Sequence, residues 1–160
     1  MEDNNHLPEF GVGPLLIVPI VIATIVAISL SFLKIIPVYS IGQINLILTV
    51  ICVFLIILGA IFWISAVKKS DIDDNIRQNN LVTTGIYGYV RHPIYAAFLY
   101  AVTGVILILN NILLFVLPVI YWIILTIAMI KTEEKWLTDL YGKDYLDYSK
   151  KVNRFIPKVI

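Results

Sequence analysis

The chain has 160 residues, 59% of them hydrophobic and 14% charged, with a formal net charge of +1 and a mean hydropathy of +0.89. Soluble domains carry about 25% charged residues, and a soluble fold this small could not hide so much apolar surface in one core, so the composition selects lipid as the solvent. The near-neutral charge argues against a nucleic-acid binder, which needs a basic surface to meet phosphates.

The chain opens with MEDNNHLPEF. That start is acidic rather than basic, and the apolar run behind it is too long for a signal-peptide core, so it is expected to stay as a first membrane span. Apolar runs cover residues 12–33 and 41–66, each long enough for the roughly 20 helical residues that cross a bilayer. Cys52, the single cysteine, lies in the second run. It can form no internal disulfide and has no partners for a zinc site, and it reads as a small buried hydrophobe. Two shorter runs, 93–109 and 112–130, are separated by Asn110 and Asn111. This pattern predicts a helical hairpin with a tight polar turn, whose asparagines satisfy the backbone groups at the helix ends. Pro14, Pro19 and Pro118 fall in or near spans, where kinks are tolerated if neighbours satisfy the freed carbonyls. The expected fold is all-α: one multi-pass membrane domain over residues 1–160, with four transmembrane helices.

Two polar segments flank the hairpin. Of the 12 basic residues, Lys68, Lys69, Arg77 and Arg91 precede it and seven lie in residues 131–160, leaving only Lys34 elsewhere. The positive-inside rule puts both segments, and with four spans both termini, on the cytoplasmic side. In the C-terminal segment Leu137, Tyr141, Tyr145, Tyr148 and Val152 recur at helical spacing, while Lys135, Asp139, Lys143, Asp147 and Lys151 line the other face. This predicts an amphipathic helical tail at the membrane surface, with a bend or break at Gly142.

Several chemistries are missing from the sequence. No glycine-rich phosphate loop follows a strand, and no Cys/His cluster offers a metal site. His6 carries no expected role. What remains is polar and sits at one membrane boundary: Arg91-His92-Pro93 with Tyr87, Tyr89 and Tyr95, then Glu133-Glu134, then the tyrosine-rich tail ending in Val152, Arg154, Ile156 and Pro157. Each has an ordinary explanation. Pro93 suits a first helical turn, tyrosines populate membrane interfaces, and Arg91 can snorkel to headgroups or pair with Glu133. Together they ask for more. A hairpin brings its two ends within about one helix diameter, roughly 10 Å. Cations, imidazole, carboxylates and aromatics then converge, which is a functional-site signal at a membrane boundary.

The ordered set LVTTGIYGYVRHPIY, an apolar hairpin, then EEKWLTDLYGKDYLDYSKKVNRFIP resembles the integral membrane methyltransferases that comprise the isoprenylcysteine carboxyl methyltransferases and phospholipid N-methyltransferases. The resemblance covers residues 81–157. It implies S-adenosylmethionine as cofactor, bound without a Rossmann domain between the hairpin ends and the tail. Carried over position by position, it implies cofactor-binding roles for Tyr87, His92, Tyr95, Glu133, Glu134, Tyr145 and Tyr148, and catalytic or substrate-orienting roles for Arg91, Glu134 and Arg154. No metal is implied. The acceptor would be lipophilic or lipidated, met within membrane lipid. Two positions depart from the pattern. Ala97 stands where relatives often have glycine. Met129 and Lys131 occupy the region where many relatives carry an arginine, so Lys131 would have to act there as a point charge without a bidentate fork.

These residue types suit the task. Carboxylates meet an ammonium, arginine or histidine meets a carboxylate, and aromatic faces suit an adenine or a cation. Methyl transfer is an in-line displacement, so catalysis is mostly positioning and desolvation. A carboxylate acceptor needs no base, whereas an amine acceptor must first lose a proton; Glu133, Glu134 or His92 could take it. The leading expectation is carboxyl O-methylation of a prenylcysteine-like substrate. Phospholipid N-methylation is the enzymatic alternative. A non-catalytic scaffold or transporter subunit is the alternative of another class, but a transporter would carry polar or broken mid-span positions that this chain lacks.

Overall fold

A computed structural model describes residues 12–42, 46–68 and 80–158. His6, Lys69 and Arg77 lie outside the described residues. The described chain is helical and contains no strand. Helix α1 spans Gly13–Phe32, α2 Leu46–Lys68, α3 Pro93–Ile108, α4 Val116–Lys131, α5 Glu133–Tyr141 and α6 Lys143–Lys151. Short 3-10 turns, Gly85–Gly88 and Ile112–Phe115, precede α3 and α4.

Three helical stretches among the described residues are long and apolar enough to cross a membrane: α1, α2, and the stretch from Ile112 onward that includes α4. The fourth expected span, α3, is apolar but has only 16 residues. It is also the most enclosed helix, with Tyr95, Ala96, Leu99, Val102 and Ile106 in the core. Most large apolar side chains of α1 and α2 point outward instead, as expected for helices solvated by lipid.

Small residues let α2 and α3 pack closely. A Cβ at Gly59 would lie 2.6 Å from the Ala97 carbonyl oxygen, and one at Gly104 would lie 2.7 Å from the Cys52 carbonyl oxygen. Lipid gives no hydrophobic drive for helix pairing, so close backbone approach at small residues supplies the dispersion energy. Cys52 is fully buried, and Ala97 is part of the same seam.

The asparagine turn does more than end two helices. Asn110 takes φ +50, a left-handed conformation that asparagine tolerates. Asn111 Oδ1 accepts from the Leu113 amide at 3.3 Å, capping the next turn. The pair also binds the loop between α1 and α2. Asn111 Nδ2 donates to Ser31 Oγ at 3.0 Å and to the Pro37 carbonyl at 3.2 Å, while the Tyr39 and Ile41 amides donate to the two Oδ1 atoms. The far end of the hairpin is thereby tied to the far end of α1, leaving the near end to build the site.

Thr132 breaks the line between α4 and α5, with φ −122 and ψ −90. Gly142, at φ +53, breaks α5 from α6. The tail is thus two nine-residue helices folded back under the hairpin.

Candidate active site

The stretch before α3 is positioned by the end of the chain. Val90 and Asn153 form a parallel bridge. The Arg91 amide donates to the Asn153 carbonyl at 2.8 Å and the His92 amide to the Arg154 carbonyl at 3.1 Å. Gly85, at φ +61, admits the turn that leads into this segment. The Tyr148 hydroxyl donates to the Tyr87 carbonyl at 2.6 Å, and the Tyr100 hydroxyl to the Phe155 carbonyl at 2.6 Å. These bonds seat Arg91, His92 and Arg154 side by side over the start of α5.

Glu133 and Glu134 occupy the first turn of α5, where the helix dipole favours negative charge. Glu134 meets two guanidiniums and an imidazole. Arg154 grips it with Nε to Oε1 at 2.7 Å and Nη2 to Oε2 at 2.9 Å. Arg91 Nη1 lies 3.3 Å from Oε1, as does His92 Nε2. Arg91 Nη1 also donates to the Tyr145 hydroxyl at 3.2 Å. Glu133 Oε1 accepts from the Tyr95 hydroxyl and, at 3.2 Å, from the Val12 amide; its Oε2 lies 3.4 Å from His92 Nδ1.

Burial alone would lower the His92 pKa, but hydrogen bonds to Glu133 and Glu134 and their charges outweigh it and hold the imidazole above its ordinary value. Burial, reinforced by the Glu134 charge, pushes the Tyr145 phenol up to about 12, so it serves as a neutral hydroxyl.

A cleft of about 410 Å³ opens beside this cluster, with Arg91, Ile130, Glu134, Thr138, Tyr145 and Arg154 among its walls. That volume is in the range of small-molecule sites, roughly 300–1,000 Å³. Among the described residues no group of His, Cys, Asp and Glu could hold a metal. Arg91 Nε is buried and makes no hydrogen bond within the protein.

The sequence-predicted residues divide into layers. Arg91, Glu134, Tyr145 and Arg154 line the cleft. His92, Tyr95 and Glu133 stand behind it, bonded to one another or to Glu134. Tyr87 and Tyr148 brace the tail against the turn before α3. Lys131 is exposed at the end of α4 and lines no wall of the cleft, while Met129 is buried in the core. Neither one substitutes for an arginine in the cleft. Sequence reasoning missed Thr138 and Ser149, both on the cleft wall. Each lies four residues after a predicted site residue, Glu134 and Tyr145, so helical periodicity could have found them. The Val12 amide left no such signal.

The sequence pattern of the phospholipid methyltransferase family matches residues 39–144, more than half of the chain. The chain belongs to this family. Among its relatives, the Schizosaccharomyces pombe protein named protein-S-isoprenylcysteine O-methyltransferase is 39% identical over 82 residues, covering 49% of this chain and 34% of the relative. The Saccharomyces cerevisiae protein of the same name is 35% identical over 78 residues, covering 48% and 32%. A Bradyrhizobium diazoefficiens protein named methanethiol S-methyltransferase 1 is 36% identical over 72 residues, covering 45% and 24%. The chain thus spans about a third or less of the length of these relatives. The relatives of this chain therefore carry names for more than one methyl acceptor. With its apolar helices, this member is an integral membrane protein.

Proposed function

We propose that this chain is a single membrane domain that works as an S-adenosylmethionine-dependent methyltransferase, esterifying the carboxylate of a prenylcysteine-like, lipidated acceptor. The observation that carries the reading is the cleft, where a carboxylate, two guanidiniums and a tyrosine meet at one end of the helices. These residues fit the cofactor. The guanidiniums of Arg91 and Arg154 suit its carboxylate, and Tyr145 offers an aromatic wall. When bound, S-adenosylmethionine supplies a methyl group on a cationic sulfur.

The chain's own contribution is to orient the reacting groups. Arg91 and Arg154 fix Glu134 and present positive charge to an anionic acceptor. Both oxygens of Glu134 are occupied by cations, and Glu133 is engaged by Tyr95, Val12 and His92. A carboxylate so neutralised is a weak base. That favours an acceptor that is already deprotonated over an amine or a thiol, which must first lose a proton. Phospholipid N-methylation keeps one supporting observation, the family match itself.

The same reading includes a fourth span. At 16 residues, α3 is short for a straight crossing of about 20, but its close seam with α2 pairs it with a full-length span. The positive-inside pattern supports a cytoplasmic position for the cleft, its two polar segments and both termini.

The test is labelled-methyl transfer by the detergent-purified protein to a small S-farnesylcysteine analogue, to phosphatidylethanolamine and to methanethiol. Formation of a base-labile methyl ester on the first is expected. Label in the phospholipid or the thiol alone would replace the carboxyl reading.

A further inference from the structure

Glu133 and Glu134 are chain neighbours held in different ways. Glu134 faces the cleft with Arg91 and Arg154 on its oxygens. Glu133 lies behind, and its Oε1 receives two neutral donors, the Tyr95 hydroxyl from α3 and the Val12 amide at the start of α1. Among the described residues, the one basic group within ion-pair distance of Glu133 is His92, with Nδ1 3.4 Å from Oε2. The other ring nitrogen, Nε2, lies 3.3 Å from Glu134 Oε1. His92 itself is only 5% exposed.

An ionised carboxylate can only accept hydrogen bonds, and a neutral imidazole has one N–H. With a carboxylate oxygen 3.4 Å from Nδ1 and another 3.3 Å from Nε2, a proton on each ring nitrogen is favoured, which is the imidazolium. A neutral ring would aim a lone pair at one carboxylate in a site with little water to relieve it. It would also leave Glu133 a partly buried charge without a counter-charge. The groups facing the ring include both signs. Glu133 and Glu134 come from α5, Arg91 precedes it in the chain, and Arg154 comes from the tail through Glu134. The Tyr95 and Phe155 rings pack at 5.9 and 6.1 Å between centroids.

We propose that His92 is a positioning residue rather than a cofactor ligand. As an imidazolium it straps Glu133, anchored to α1 and α3, to Glu134, and so aims the carboxylate that forms the cleft wall. Its functional half rests on the cleft being the S-adenosylmethionine site.

The experiment uses the tag-free, detergent-purified full chain, labelled with ¹⁵N-histidine in a His6→Gln background so that one imidazole remains. The ring is expected to show two protonated nitrogens throughout about pH 6 to 8, the range where an ordinary histidine titrates. Glu133→Gln should make it lose a proton inside that range. An unprotonated ring nitrogen in the folded parent protein at pH 7 overturns the proposal, and that spectrum decides even if the variant does not fold. In parallel, S-adenosylmethionine affinity should be flat over the same range with Glu133 present, and should fall on the order of tenfold from pH 6 to 8 in Glu133→Gln. A pH-flat affinity in the folded variant overturns the positioning role. A parent protein with the imidazolium signature but no cofactor binding overturns the proposed function and leaves the strap standing.

Discussion

Arg154 holds Glu134 in a two-bond fork, Nε to Oε1 at 2.7 Å and Nη2 to Oε2 at 2.9 Å. The two residues come from the last described stretch of the chain and from the first turn of α5. The fork therefore folds the end of the tail back onto its own first turn while shaping the cleft wall. Arg154→Lys keeps the charge but loses the planar fork. The expected outcome is a cofactor Kd raised by about tenfold or more, since a hydrogen bond to a charged group contributes roughly 1.5–3 kcal/mol. Isothermal titration of the two proteins checks it; equal affinities would show that the fork does not shape the site.

The tail is also held by neutral bonds outside the cleft lining. Tyr100 on α3 donates to the Phe155 carbonyl at 2.6 Å. Tyr100→Phe should lower stability by about 0.5–1.5 kcal/mol and raise amide exchange at residues 152–156 before it affects α1 or α2. Hydrogen-exchange mass spectrometry reads this directly; uniform loosening of all helices would argue against a locally docked tail.

How much of this was legible in the sequence depends on the range of the forces involved. The helical hairpin was visible because its apolar runs and the Asn110-Asn111 break are local features. α3 begins at Pro93 and α4 ends at Lys131, within a residue or so of the expected limits. The convergence of Arg91, His92, Glu133, Glu134 and Arg154 followed from the hairpin geometry. Their division into a cleft-lining layer and a layer behind it did not. It depends on side-chain directions at adjacent positions, and on the one-residue bridge between Val90 and Asn153, which has no periodic signature. The Asn111 contacts with the α1–α2 loop were hidden for the same reason, because they pair residues 72 or more apart in sequence.

That asparagine supports a sharp stability prediction. Asn111 is fully buried and bonds Ser31, Pro37, Tyr39 and Leu113. Asn111→Leu leaves these groups without their partner, each orphaned group costing about 1–3 kcal/mol. A marked drop in the Tm of the detergent-solubilised protein is expected, with cofactor affinity at the distant cleft affected far less in the fraction that folds.

The α2–α3 seam gives an independent test of packing. A methyl group at Gly59 would sit 2.6 Å from the Ala97 carbonyl oxygen, and backbone cannot swing away as a flexible side chain can. Gly59→Ala should cost about 1–3 kcal/mol as an overpacking change, although alanine is the better helix former. A stabilised Gly59→Ala protein in thermal melts would mean the two helices are further apart.

The His92 environment fixes the sign of a pH effect. Its pKa is raised in the folded chain above an unfolded value of about 6.5, so folding takes up a proton. The resulting stabilisation is complete below the unfolded pKa and is lost as pH rises through the folded one. The Tm should decline over that interval, and His92→Gln should flatten this component. A Tm that climbs because of His92 over the same interval would reverse the assignment of its partners.

The central claim is that the cleft walled by Arg91, Glu134, Tyr145 and Arg154 binds S-adenosylmethionine. Calorimetric titration of the folded, detergent-purified protein tests it most directly, with Glu134→Gln alongside. The account predicts saturable one-site binding to the parent protein and a loss of at least tenfold in affinity in the variant, the scale of one lost charge-assisted bond at about 1.5–3 kcal/mol. No saturable binding by the folded parent protein, or unchanged binding by Glu134→Gln, would contradict it.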